Sequence, residues 1–117
     1  ILKLIWTILF FLPGCPNVYY GDELALEGGQ DPDNRRCFPW DNLKTIEKTS
    51  FSLFFKKLLK MRRSEIILQK GSFEAIPCEE GFLLKRQLKK DFMVLRVFTP
   101  KIGGPDSFTL TKNDHNY

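Results

Sequence analysis

The sequence predicts two kinds of structure in succession, an α/β segment and then a small antiparallel β unit. An apolar run at 1–12 precedes a short β-forming stretch at 18–20, and a helix, a brief turn and an apolar strand form the αβ step of a parallel fold. Apolar residues then recur at helical spacing from Phe51. Beyond Gly71 their spacing changes to two, which is typical of strands. The predicted fold class is therefore α/β plus all-β.

The opening helix is predicted to be buried, because 1–12 is apolar nearly all round apart from Lys3 and Thr7. A membrane span needs about 20 apolar residues, so this run is too short. A signal-peptide remnant is a lesser alternative, because PGCPN is a poor cleavage site. A membrane anchor is the other lesser alternative. The chain begins inside the helical pattern without a cap residue or an initiator Met, which favours a fragment of a longer protein.

A long ordered loop is predicted at 27–48, because this stretch is polar and contains several Gly and Pro residues. We expect one helical turn within it. Its aromatic residues, Phe38 and Trp40, and the earlier pair Tyr19 and Tyr20, are predicted to pack. The helix that follows is capped by Thr49 or Ser50. Its apolar stripe predicts core positions at Phe51, Phe54, Phe55, Leu58 and Leu59.

Strands are predicted at 72–76, 82–88, 92–98 and 107–111, joined by turns and by the break at 103–105. The second of them alternates only roughly between apolar and polar residues. The third is apolar on both faces apart from Arg96, as a strand inside a β-sandwich would be.

The formal net charge of +4 comes mostly from lysines and arginines after Lys44. We interpret them as solvated faces, because a nucleic-acid surface would add a recognised module or exposed aromatic residues. Cys15, Cys37 and Cys78 are far apart and lack a C-x-x-C step, so they predict neither a zinc site nor a disulfide framework. Reduced thiols are typical of a cytoplasmic protein. We predict no nucleic-acid partner, no metal and no cofactor.

The stretch LPGCPNVYYGDELALEGGQDPDNRRCFPWD resembles the segment around the eighth barrel strand of the α-amylase superfamily of glycoside hydrolases. The resemblance is greatest to the cyclomaltodextrinase, neopullulanase and maltogenic amylase group. LLKMRRSEIIL and the following KGSFEAI resemble the last barrel helix and its lead into a C-terminal β-domain. The resemblance implies the C-terminal end of a (β/α)8 TIM barrel at 1–70, with a substrate-side loop at 24–48. Part of an antiparallel β-sandwich domain is then implied at 71–117.

The resemblance also implies roles for individual residues. Stretch 1–12 would be the seventh barrel helix and 18–20 the eighth strand. Tyr20, Gly21, Asp22 and Glu23 would then be structural residues at the barrel rim, where barrel active sites are built. Asp31 and Arg35 match the family's aspartate and arginine that hold sugar hydroxyls, a role suited to a carboxylate acceptor and a planar donor fork. The family's catalytic carboxylates come from earlier strands, so we expect none in this chain.

The implied parent enzyme is a cytoplasmic retaining hydrolase of α-1,4 or α-1,6 glucosidic linkages in cyclodextrins, pullulan or maltooligosaccharides. An α-glucan oligosaccharide is its implied partner, and a homodimer is an open possibility for the intact parent. The alternative is a non-catalytic carbohydrate-binding or interaction module. The resemblance covers residues 1 to about 98. Cys15 and Asn17 depart from the family pattern, and the family's strand-and-asparagine signature is absent after Val97.

These residues also have purely structural interpretations. Asp31 could cap a turn, and Arg35 could pair with a surface acid. Glu23 could be a buried carboxylate bonded to loop amides. The oxygen-rich DPDN at 31–34 could attract calcium, but the EF-hand glycine and glutamate are absent. His115 lies in a polar tail and matches none of the family's histidines, so we predict no catalytic role for it.

Overall fold

The computed structural model describes residues 1–98, 107–113 and 115–116. In these residues, four α-helices precede a sheet of five strands, and three short 3-10 turns lie in the loop between the first two helices. The helices are α1 Leu2–Phe11, α2 Leu43–Ile46, α3 Ser50–Ser64 and α4 Ile66–Lys70. The strands are β1 Ser72–Cys78, β2 Gly81–Leu88, β3 Asp91–Phe98, β4 Ser107–Lys112 and β5 His115–Asn116.

Helix α1 confirms the predicted opening helix, but only one of its faces is covered. Trp6, Phe10 and Phe11 are buried in the core. The opposite face is exposed among the described residues, and it carries the apolar side chains of Ile1, Leu2, Ile5 and Leu9. The prediction of burial on most sides is therefore wrong for the described part of the chain. No helix in this part is both long enough and apolar enough to cross a membrane.

The strand predicted at 18–20 is not formed. Residues 18 and 19 have irregular backbone, and Tyr20 begins a turn. The physical reason is that a strand needs a neighbour to complete its ladder, and no described strand pairs with this stretch. The β-forming composition of the stretch cannot supply that neighbour.

The loop at 27–48 is ordered, as predicted, but it contains more helical structure than the expected single turn. Two 3-10 turns, Asp33–Arg35 and Trp40–Asn42, precede helix α2. Helix α3 then begins at the predicted cap, where the hydroxyl oxygen of Thr49 accepts the Ser52 backbone N–H at 3.2 Å. The predicted apolar stripe packs into the core, with Phe55 and Leu58 buried and the other members partly buried.

The sheet is antiparallel throughout and follows chain order from β1 to β5. Its first four strands confirm the four predicted ones. The predicted sandwich is not formed, because the described strands make a single sheet. The apolar face of β3, with Met93, Leu95 and Val97, joins the helices in one hydrophobic cluster and does not face a second sheet. The break predicted at 103–105 lies outside the described residues. His115, predicted to lie in a tail, pairs through its backbone with Lys112.

A buried arginine joins the sheet to the end of α1. Arg86 on β2 is 1% exposed and lies opposite Met93 on the core face of the sheet. Its Nη1 donates to the carbonyl oxygen of Phe11 at 2.9 Å, while Nη2 and Nε donate to the carbonyls of Gly71 and Ser72 at 2.9 and 3.1 Å. Because the last carbonyls of a helix lack intrahelical donors, this contact satisfies one of them. Burial lowers the pKa of Arg86.

A second arginine completes the same junction from α3. Arg62 donates through Nη1 to the carbonyl oxygens of Phe10 and Leu12 at 2.9 and 3.1 Å, and through Nη2 to that of Gly14. A guanidinium at this position also complements the partial negative charge of the α1 C-terminus. The loop that leaves α1 is therefore fixed to both the helical layer and the sheet.

Candidate functional site

The first part of the candidate site is a tight turn after Tyr20. Gly21 adopts a φ of +94°, a conformation that side chains rarely tolerate. The carboxylate of Asp22 accepts the Tyr19 N–H, and that of Glu23 accepts the Gly21 N–H, both at 2.9 Å. Leu24 is buried, and the 3-10 turn that contains it packs against α3. Both carboxylates thus accept hydrogen bonds from backbone N–H groups of their own turn.

The second part is the turn at 29–36, which is built around the carboxylate of Asp33. The Gly29 N–H donates to Asp33 Oδ2 at 2.8 Å. Arg36 donates to the same carboxylate through Nε at 2.8 Å and through Nη2 at 2.6 Å, a two-bond fork. The hydrogen bonds from Arg36 and then from Gly29 lower the pKa of Asp33, and Asp33 in turn raises the pKa of Arg36. Asp33 is therefore an anionic centre held by three donors.

Tyr20 connects the two parts. Its hydroxyl donates to the carbonyl oxygen of Arg36 at 3.0 Å. Its ring packs on that of Tyr19, with ring centroids 4.5 Å apart. Desolvation, followed by the side-chain hydrogen bond with Tyr19, raises the pKa of Tyr20. The shift adds to the ordinary preference of a phenol for its protonated form, which donates a hydrogen bond at neutral pH.

Asp31 and Arg35 lie in direct contact on the outside of this turn. Arg35 Nη2 and Asp31 Oδ1 are 2.7 Å apart, and both side chains are more than half exposed. A guanidinium has five N–H donors, and among the described residues Arg35 directs its ion pair only to Asp31. The pair offers carboxylate acceptors and free guanidinium donors side by side, which suits neighbouring hydroxyls of a polyol.

The structure thus brings together the two residues predicted to bind sugar and connects Tyr20 to the same loop. It also adds Asp33 and Arg36, which the sequence reasoning did not identify. A signal was present, because side chains at i and i+3 eclipse in a 3-10 helix, and Asp33 and Arg36 have this spacing. The helical turn expected in this loop was not assigned to particular residues, so this spacing was not recognised.

An aromatic pair follows the turn. The rings of Phe38 and Trp40 have centroids 4.6 Å apart, and Trp40 is 73% exposed. This pair packs together, as expected, but leaves most of the indole accessible. The three cysteines are exposed and free of disulfides. Within the described ranges, no three His, Cys, Asp or Glu side chains are grouped as a metal site would require.

The chain is similar in sequence to several characterised enzymes. It is 43% identical over 75 residues to an amylopullulanase of Thermoanaerobacter thermohydrosulfuricus, which covers 64% of this chain and 5% of that protein. It is 42% identical over 89 residues to a cyclomaltodextrinase of Thermoanaerobacter pseudethanolicus, covering 75% of this chain and 15% of that protein. The match to the cyclomaltodextrinase covers three quarters of the 117 residues of this chain. Wherever a segment of that length begins, it spans Asp31 and Arg35. No protein-family model matches the chain.

The fold is also found in solved structures. The maltogenic amylase from S. marinus superposes with a TM-score of 0.75 at 33% identity, over 85% of this chain and 14% of the enzyme. The chain therefore spans only a small part of the length of the relatives it matches.

Proposed function

Because this chain is a homologue of part of the α-amylase-family glycoside hydrolases, we propose that its loop at 24–48 is a substrate-binding element of such an enzyme. Asp31 and Arg35 hold one glucose unit of an α-glucan in this proposal. The observation that carries it is their exposed ion pair, at 2.7 Å, on a turn that other residues fix in place. The substrates we propose are cyclodextrins, pullulan or maltooligosaccharides, with α-1,4 or α-1,6 linkages.

The chemistry of the pair supports this role. The carboxylate of Asp31 accepts hydrogen bonds from sugar hydroxyls, while the guanidinium of Arg35 donates to them through a planar fork. Because one group accepts hydrogen bonds and the other donates them, the pair can fix the orientation of a sugar ring as well as bind it. Because orientation of the substrate contributes much of the rate in such reactions, a residue outside the catalytic set can still control turnover.

The described residues supply binding but no catalytic group in our proposal. A retaining glycosidase needs a nucleophile and an acid/base about 5 to 5.5 Å apart. The carboxylates of Asp22, Glu23 and Asp33 accept backbone N–H groups of their own turns, which favours structural roles for them. We therefore expect no hydrolysis of pullulan or maltohexaose by this chain alone.

We propose that the rest of the hydrolase covers the exposed face of α1. Exposure of the apolar side chains of this face to water is unfavourable, and an extended apolar patch is typical of a surface that contacts protein. In this arrangement 1–70 belongs to the end of the catalytic barrel and 71–117 to a C-terminal β-domain. We further propose a cytoplasmic location, to which the free thiols are suited, and leave open a homodimeric parent.

Isothermal titration with maltohexaose tests the binding role, in the full polypeptide that carries this chain. We expect Asp31→Ala and Arg35→Ala each to weaken binding by about 10-fold or more, because each loses charged hydrogen bonds to the sugar. Arg63→Ala, an exposed arginine on α3, is the matched control and should bind as the wild type does. Wild-type affinity in both loop variants would contradict the proposal. Tight binding without hydrolysis by the full polypeptide would favour the non-catalytic module.

A further inference from the structure

We propose that Asp33 and Arg36 are positioning residues, which hold Asp31 and Arg35 in their sugar-binding arrangement. This inference depends on the glucan-binding role proposed above for the latter pair. It assigns different tasks to two arginines that are adjacent in the sequence. Arg35 contacts the ligand, and Arg36 holds the turn that presents it.

The contacts of the two arginines differ in the way this division requires. Arg36 places two donors on the carboxylate of Asp33, at 2.8 and 2.6 Å. Arg35 makes a single ion-pair contact, with Asp31, and most of its donors are left for a ligand. A guanidinium that already makes two hydrogen bonds to one carboxylate has little freedom to reorient and donate to a sugar. A guanidinium with one contact can keep that contact while donating elsewhere.

Further contacts fix the Asp33–Arg36 pair to the chain on either side. The Gly29 N–H donates to the Asp33 carboxylate at 2.8 Å, which anchors the start of the turn. The Tyr20 hydroxyl donates to the Arg36 carbonyl at 3.0 Å, which anchors its end. A Cβ at Gly29 would lie 2.7 Å from Asp33 Oδ2, so a side chain at this position would displace the carboxylate oxygen. The sugar-binding pair lies between these two anchors.

The consequence is preorganisation of the site. A loop that is already held in its binding conformation loses less conformational entropy when the ligand binds. Releasing Asp33 from Arg36 frees the backbone between the anchors without removing any group that touches the sugar. Affinity then falls even though Asp31 and Arg35 are intact.

A double-mutant cycle tests the inference in the full polypeptide, with maltohexaose as the titrant. We expect Asp33→Ala and Arg36→Ala each to weaken binding about tenfold, because the freed loop has to be ordered when the ligand binds. The double variant should bind no more weakly than Asp33→Ala, because that substitution already removes both hydrogen bonds between Arg36 and the carboxylate. Arg36→Lys keeps the charge but loses the fork, so it should give an intermediate affinity. Arg63→Ala should be unchanged.

The outcomes separate this inference from the proposal on which it depends. Titrations are made well below the melting temperature of each variant, so that a loss of stability alone leaves the dissociation constant unchanged. Wild-type affinity in the Asp33 and Arg36 variants, or additive losses of affinity in the double variant, would overturn the positioning role. The binding role would still stand if Arg35→Ala bound maltohexaose more weakly than the wild type. Wild-type affinity in Arg35→Ala would overturn both.

Discussion

The guanidinium of Arg86 donates a 2.9 Å hydrogen bond to the carbonyl oxygen of Phe11, which lies 75 residues earlier in the chain. The contact joins the sheet to the last turn of α1. The loop that carries the candidate site leaves the helix at this point. The position of the site therefore depends on a junction between distant parts of the sequence.

Arg86→Ala is expected to lower the free energy of unfolding by about 3 kcal/mol, because it leaves the buried carbonyl oxygen of Phe11 and the partly buried carbonyls of Gly71 and Ser72 without their charged donor. The free energy of unfolding of Arg86→Lys should lie between those of Arg86→Ala and the wild type, because one ammonium group cannot reproduce the contacts of the planar guanidinium. Urea denaturation followed by circular dichroism measures both. Arg96→Ala, at an exposed position of β3, is the control, and we expect a change within about 0.5 kcal/mol. Equal effects at Arg86 and Arg96 would contradict the proposed junction.

Gly71→Ala is expected to destabilise the protein by about 1–3 kcal/mol through steric overlap. A Cβ at this position would overlap the carbonyl oxygen of Ile67 and lie 2.9 Å from that of Gln87. Both neighbours are backbone atoms, so neither can move aside cheaply. Thermal unfolding measures the effect, with Ser72→Ala at the exposed neighbouring position as control. A melting temperature equal to that of the wild type would show that the helix and sheet are spaced differently.

The two tryptophans should differ strongly in fluorescence. Trp6 is 8% exposed and packs edge-on against Phe55 at 4.9 Å, whereas Trp40 is 73% exposed. We expect Trp40→Phe to retain a blue-shifted emission that acrylamide quenches weakly. Trp6→Phe should retain a red-shifted emission that acrylamide quenches strongly. Similar quenching constants in the two variants would be inconsistent with an exposed Trp40.

The Asp33 carboxylate gives a pH dependence with a definite sign. Its folded-state pKa lies below the ordinary 3.8, first because Arg36 and then because Gly29 hydrogen-bonds the charged form. Such a group contributes stability that is fully present above the unfolded-state pKa and is lost as the pH falls through the folded-state value. Carbon-13 NMR of the carboxyl should show titration below 3.8 in the wild type and at a higher pH in Arg36→Ala. An unchanged Asp33 titration in that variant would exclude the fork.

Local patterns in the sequence were sufficient for the elements whose stability is local. The α3 cap at Thr49 and the stripe through Phe55 and Leu58 follow from helical periodicity, and the first four strands follow from alternation and turns. The rough alternation noted in β2 has its explanation in Arg86, which occupies a core position between Leu84 and Leu88 on the same face of the strand. Its partners are distant in sequence, so no local pattern could identify them.

The candidate site was predictable only in part. The family resemblance indicated Asp31 and Arg35, and the structure brings these two together. The pairing of Asp33 with Arg36 depends on a 3-10 turn that composition alone does not reveal. The stretch at 18–20 has a strand-forming composition, but strand formation requires a partner, and no described strand supplies one.

The central claim is that Asp31 and Arg35 bind an α-glucan, and a crystal structure of the full polypeptide with maltohexaose tests it most directly. The account predicts that a glucose unit places adjacent hydroxyls within hydrogen-bond distance of both side chains, while the Asp33–Arg36 fork remains as it is without ligand. Maltohexaose bound elsewhere in the protein, with neither Asp31 nor Arg35 in contact with it, would contradict the claim.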